Sequence, residues 1–183
     1  LLFKVQRGNT QHFVGCKRVL DLACGVGIFL DCLRHDGIDA QGVERDFRIA
    51  QYARGMGLDV TVADALEFLD QTQDSFDGVH CSHFLEHLPF EAVQRLLGLI
   101  ASRMIKGGVP VLVFPDPESI RSQLLGFWRD PEHVRFYHPE LITMMAATVG
   151  LELEWSSYME QPHSVAPFAA NPTPTHPTHR VGE

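Results

Sequence analysis

A chain of 183 residues, 45% of them hydrophobic, has the material for one ordinary globular domain with a sizeable core. Its formal charge of −8 at pH 7 argues against a surface that tracks nucleic-acid phosphates, because that affinity rests on Lys and Arg. No apolar run approaches the roughly 18 residues that a membrane-spanning helix requires.

Residues 1–15 show no clean period and read as a lead-in segment, at most a frayed helix. The stretch 17–30, K-R-V-L-D-L-A-C-G-V-G-I-F-L, reads as a buried strand over 19–22, a small-residue turn and an apolar-periodic helix over 28–35. Gly25 and Gly27 let the backbone bend sharply and approach a ligand with no Cβ in the way. The helix N-terminus behind them offers free N–H groups.

Further along, residues 40–43 make a second short strand, 47–56 a helix, 59–63 a third strand and 65–70 a short helix. Residues 76–82 form a fourth strand, and Pro89 opens a long amphipathic helix that runs to about residue 105. Gly107 and Gly108 are expected to stop it before a fifth strand over 109–114. Helices are expected over 119–128 and 139–149, and an alternating edge strand over 151–158.

Strands alternating with helices imply an α/β domain over residues 16–160, a doubly wound, mostly parallel sheet in a three-layer α/β/α Rossmann-like arrangement. Residues 161–183, rich in Pro, His and Thr, read as a disordered or extended tail. The four cysteines, Cys16, Cys24, Cys32 and Cys81, contain no C-x-x-C pair and read as reduced thiols of a cytoplasmic protein. A first residue other than Met leads us to expect a piece of a longer polypeptide.

Three acids, Asp21, Glu44 and Asp64, lie in or just after successive strands, and a parallel sheet gathers such positions along one rim. Glu44, seventeen residues after Gly27, is placed to accept both hydroxyls of a ribose, and Asp64 to accept from an exocyclic amine such as adenine N6. An acid at a strand end can instead cap the following helix; three in this order favour a ligand. The dinucleotide fingerprint G-x-G-x-x-G fails, because Leu30 stands at its third glycine. A pyrophosphate would also be repelled by Asp21, whereas a ligand carrying an ammonium and a sulfonium would be attracted.

L-D-L-A-C-G-V-G, the later V-E, V-A-D-A and H-F-L-E-H-L-P together resemble the class I S-adenosylmethionine-dependent methyltransferases. Ala23 departs from the Gly common in that family but is small enough for the turn. The resemblance implies a cofactor, S-adenosyl-L-methionine, and a seven-stranded sheet whose final hairpin is reversed. Asp21 would hold the methionine ammonium, and the backbone of Ala23, Cys24, Gly25 and Gly27 the methionine part. Glu44 with Arg45 would grip the ribose, Asp64 with Ala65 the adenine, and Ser82 with His83 the methyl-donor side.

His83-x-x-Glu86-His87 also spells H-x-x-E-H, a zinc-hydrolase motif that needs a long helix presenting both histidines. Leu88-Pro89 leaves barely one turn, so no metal is expected. The stretch 128–139 is dense in Arg, His and aromatic residues and belongs to a loop at the cofactor edge. It supplies candidate acceptor-binding residues Arg129, His133, Arg135 and Tyr137, or else its aromatics plug the core edge. D-P-E-H-V-R-F-Y-H-P-E-L is similar to methyltransferases of bacterial surface-polysaccharide gene clusters.

The expected activity is methyl transfer, to a hydroxyl of a small-molecule or saccharide acceptor. His133, His87 and Glu86 are the candidate catalytic residues, with either histidine as base. Two other readings stay open: a catalytically silent cofactor-binding partner module, and an NAD-dependent oxidoreductase that Leu30 and Asp21 disfavour. Nucleic acid is not an expected partner, since S-H-F-L replaces the Pro-Pro-aromatic clamp on a flipped base. The oligomeric state is left open.

Overall fold

Five runs pair side by side in the computed structural model, which describes residues 6–120 and 122–157. They are β1 (Val19–Leu22), β2 (Ala40–Glu44), β3 (Val60–Val62), β4 (Phe76–Ser82) and β5 (Met104–Val113). All four pairings are parallel, in the order β3-β2-β1-β4-β5. The connecting helices are α1 (Ile28–His35), α2 (Phe47–Gly55), α3 (Ala65–Gln71) and α4 (Phe90–Arg103); α5 (Pro139–Thr148) follows a long irregular stretch. Strand order reverses between β1 and β4, which opens a crevice at their C-terminal ends, where ligands of open α/β sheets bind.

β1 is buried along its whole length, as a central parallel strand covered on both faces must be. Leu20 and Leu22 join Val79, Cys81, Leu69, Val93, Leu96 and Ile100 in the larger core cluster. Val19 packs with Phe13, Phe29 and Leu33 on the opposite face. Side chains alternate along a strand, so Asp21 shares the face of Val19 and lies in the smaller of these two cores.

Local chemistry starts the helices. Asp46 caps α2 by accepting from the N–H groups of Arg48 and Ile49, and Asp64 caps α3 by accepting from Leu66 and Glu67. Pro89 precedes α4, and Pro139 opens α5 behind its cap, His138.

Four expectations are corrected. α4 ends at Arg103, and Gly107-Gly108 lie inside β5 at a register irregularity, where Phe76 pairs with Met104 but Gly78 with Val109. The glycines serve a bulge rather than a stop, with Gly107 at φ +79° and a Cβ on Gly108 meeting Met104 Cε at 2.7 Å. The helix expected over 119–128 is a π-helical turn, Ser122–Gly126, followed by a 3₁₀ turn, Phe127–Arg129.

The edge strand expected over 151–158 is absent from the described residues 151–157, which line a cleft of about 540 Å³ together with Val109–Leu112 of β5. The lead-in contains a 3₁₀ turn, Thr10–Phe13, whose Phe13 ring covers Gly78. The expected tail, 161–183, lies outside the described residues. Among the described residues no helix is long and apolar enough to cross a membrane.

Gly42, on β2, supports the turn after β1: a Cβ there would approach Cys24 Sγ and Leu30 Cδ1 to 2.6 Å. Gly42→Ala is expected to lower the unfolding free energy by about 1–3 kcal/mol through overpacking, measured by urea denaturation.

Candidate active site

Ala23, Gly25 and Gly27 all adopt left-handed backbone, at φ of 53°, 56° and 80°. This winds residues 23–27 into a tight loop, closed by Gly27 N–H donating to the Cys24 carbonyl at 3.0 Å. A Cβ on Gly25 would meet nothing within 4 Å, so the loop faces open space there. Gly27 is the N-cap of α1 and no side chain caps that helix, leaving its first N–H groups for a ligand.

Two buried acids stand behind the loop. Glu44 accepts from Gly25 N–H at 3.0 Å through one oxygen and from Asp46 N–H at 2.8 Å through the other. A carboxylate has about four acceptor sites, so capacity remains for a ligand. Asp21 is paired across the β1–β4 ladder with His80, whose Nδ1–H donates to Oδ1 at 2.7 Å. His80 stacks on Phe29 at 3.7 Å between centroids and meets Phe13 edge-on. The half-buried Cys24 thiol is pushed well up, first by desolvation and then by the charges of Asp21 and Glu44, so it lines the loop as a neutral group.

Asp64 lies on the same rim beyond β3 and spends one oxygen, Oδ1, on both of its cap bonds. Ala65 is buried beneath it. Ser82 ends β4, and His83 follows in left-handed backbone at φ 53°. Glu44 ends β2 and Asp64 follows β3, while Asp21 is buried one residue before the end of β1. Their local bonds show that two of them also organise turns and caps.

The long stretch before α5 closes back on the same edge. Arg45, exposed beside Glu44, bonds to Glu132 at 2.7 Å. The Glu86 carbonyl accepts from Val134 N–H at 2.8 Å and Arg135 N–H at 3.3 Å. These links set His133 against His87, with ring centroids 4.6 Å apart. Glu86 is 1% exposed; its Oε1 accepts from His83 Nδ1 at 3.1 Å, and its Oε2 has no partner among the described residues. His133 Nδ1–H donates to the Phe127 carbonyl at 2.6 Å, which leaves Nε2 with its lone pair. Glu86, His87 and His133, spread over 48 positions, each offer one ligand atom within 4.8 Å of the others.

A family model described as a methyltransferase domain matches residues 9–155. The chain belongs to the S-adenosylmethionine-dependent methyltransferases. A methyltransferase of this class from Archaeoglobus fulgidus is 33% identical, with a TM-score of 0.73 over 81% of this chain and 68% of that one. Magnesium protoporphyrin IX methyltransferase from Synechocystis, solved with bound S-adenosylmethionine, shares the fold at 16% identity, TM-score 0.66, over 87% of this chain and 73% of that one. Among curated relatives, the ubiquinone biosynthesis O-methyltransferase of Thiobacillus denitrificans is 26% identical over 80% of this chain and 69% of its own length. That of Aeromonas salmonicida is 32% identical, but over only 50% of this chain and 40% of its own.

For this methyltransferase one acceptor-side expectation fails. Tyr137 is 1% exposed, lies in the main core and donates its hydroxyl to the Leu88 carbonyl at 2.7 Å. It plugs the core edge, as does Phe127, which stacks on Phe136 at 3.7 Å. Arg129 and Arg135 are exposed, and Arg135 lies over the Tyr137 ring at 5.1 Å. The residue that sequence reasoning missed is His80; its one signal was a polar side chain within an otherwise apolar run.

His80→Phe retains the stack on Phe29 but removes the donor from buried Asp21. It is expected to lower stability by about 1–3 kcal/mol, read as a shift of the urea midpoint at unchanged slope.

Proposed function

We propose that this S-adenosylmethionine-dependent methyltransferase methylates a hydroxyl oxygen of a small-molecule acceptor, a phenol or a saccharide. The observation that carries this reading is the convergence of Glu86, His87 and His133 beside the end of β4, next to the cofactor rim. The names of the curated relatives, ubiquinone biosynthesis O-methyltransferases, support oxygen as the target. Their lengths exceed what this chain covers, and their acceptor is their own.

The geometry suits the cofactor: open space over Gly25, an uncapped helix start and buried carboxylates that favour a cation. In the proposed arrangement Asp21 faces the ammonium and the backbone of Ala23, Cys24, Gly25 and Gly27 takes the methionine part. Glu44, with Arg45 beside it, accepts from the ribose hydroxyls. Asp64 and Ala65 meet the adenine, and Ser82 with His83 borders the reacting end. S-adenosylmethionine, when bound, supplies a methyl group already activated by the adjacent sulfonium.

The chain then has two tasks. It aligns the acceptor oxygen with the methyl carbon, a matter of position rather than covalent chemistry. It also relieves that oxygen of its proton, which falls to the Glu86–His87–His133 cluster, with Nε2 of His133 as its accessible lone pair. Arg129 and Arg135 provide positive charge on the exposed acceptor side.

Two measurements test the proposal. Glu44→Ala is expected to weaken S-adenosylmethionine by roughly 10- to 150-fold in calorimetry, from about 1.5–3 kcal/mol of lost hydrogen bonding; unchanged affinity would place the ribose elsewhere. An acceptor screen over phenols and sugars should find turnover that His133→Ala reduces on the order of 100-fold or more. Turnover within about threefold of the parent removes His133 from the role.

A further inference from the structure

A parallel strand covered on both faces is normally apolar. β4 departs from that at His80, which is 1% exposed between the buried Val79 and Cys81. Only one of its two ring nitrogens is used. Nδ1–H donates to Asp21 Oδ1 at 2.7 Å, while Nε2 is buried with no partner among the described residues. Burying a polar atom without a partner is costly, and a buried hydrogen-bonded pair adds little over apolar residues of the same shape. Stability alone therefore gives poor grounds for an imidazole here; what it provides is the bond to Asp21.

The ring joins two elements that border the glycine loop. Asp21 lies two residues before Ala23, where the left-handed backbone begins. Its charge is felt inside the loop, where it ranks ahead of Glu44 in raising the Cys24 thiol. Phe29, on which the imidazole stacks at 3.7 Å, belongs to the first turn of α1, just past the uncapped Gly27. Phe13 meets the other side edge-on at 6.2 Å. Packed between two phenyl rings, the imidazole is held still, and the carboxylate that accepts from it is held with it. The open side of the pair is the carboxylate: its side chain keeps 4% exposure against 1% for His80. One hydrogen bond leaves most of its roughly four acceptor sites for a ligand.

We propose that His80 is a positioning residue for the cofactor, holding the carboxylate of Asp21 toward the ammonium at the methionine end of S-adenosylmethionine. The inference rests on the reading that Asp21 faces that ammonium, and deepens it. A hydrogen bond to an ionised acceptor is among the stronger kinds. Without its donor the carboxylate loses both a fixed orientation and the bond that stabilises its charge. The site is then no longer prepared for a cation before the cofactor arrives, and binding bears that cost.

Calorimetry on the full chain with S-adenosylhomocysteine and with its deaminated analogue, which lacks only the ammonium, tests the proposal. The parent is expected to prefer the amine-bearing compound, and Asp21→Asn, which keeps an acceptor for His80, to lose that preference. His80→Phe keeps the stack and loses the donor. It should weaken S-adenosylhomocysteine on the order of 10-fold and the deaminated analogue by less than about threefold. His80→Asn loses the stack but places an amide N–H where Nδ1–H stands, and should bind S-adenosylhomocysteine within about threefold of the parent. Should His80→Phe not fold, His80→Leu takes its place.

Equal losses for the two compounds in His80→Phe make His80 a purely structural residue and overturn the proposal. So does a His80→Asn variant as weak as His80→Phe. Unchanged affinity in His80→Phe, with Asp21→Asn behaving as expected, overturns the part of His80 alone. A parent that does not distinguish the two compounds overturns the placement of Asp21 and the proposal with it.

Discussion

The carboxylate of Glu44 holds two turns in place at once. It is buried at the end of β2 and accepts from Gly25 N–H on the neighbouring strand's turn and from Asp46 N–H at the entrance to α2. A buried backbone N–H needs a partner, and a loop wound through three left-handed residues has few of its own. Glu44 supplies that partner from across the sheet. The shape of the loop therefore depends on the β1–β2 register, in which Leu22 sits opposite Val43 and Glu44 follows next.

Below that loop, the Asp21–His80 pair performs the same service one layer deeper. An ionisable group in an apolar core is tolerated when it is hydrogen-bonded, and His80 meets that need while its ring completes the stack with Phe29. The cofactor half of the molecule is thus regular, built from short strands whose buried acids, Asp21 and Glu44, are both hydrogen-bonded. The acceptor half is irregular, made of 3₁₀ and π turns between β5 and α5 and tied to the rim by Arg45–Glu132 and by the Glu86 carbonyl. An exposed ion pair adds little stability; its use is in placing the loop. Family membership fixes the cofactor chemistry, while acceptor choice resides in such loops.

Several site residues were legible because the signals that mark them are local. Gly25 and Gly27 follow a strand and precede a helix, Glu44 ends β2 and Asp64 follows β3, so all lie at the C-terminal ends of parallel strands. Tyr137 was misassigned for the same reason. Its neighbours in sequence are Arg, His and Phe, but its ring is drawn into the core beneath α4, where Leu88 offers a carbonyl. Gly107-Gly108 read as a helix stop, although the helix had already ended and the glycines were needed to let β5 bulge past β4.

What the chain's order of residues determined by itself was the α/β class, the succession of elements as far as β5, the glycine loop and the acids around it. These follow from periodicity, backbone freedom and capping, which act over a few residues. Only the tertiary structure decided that His80 faces Asp21, 59 positions away, that 151–157 stands off from β5, and that His133 closes on Glu86 and His87. Such contacts depend on strand order and register across the whole sheet, and no short stretch of sequence carries that information.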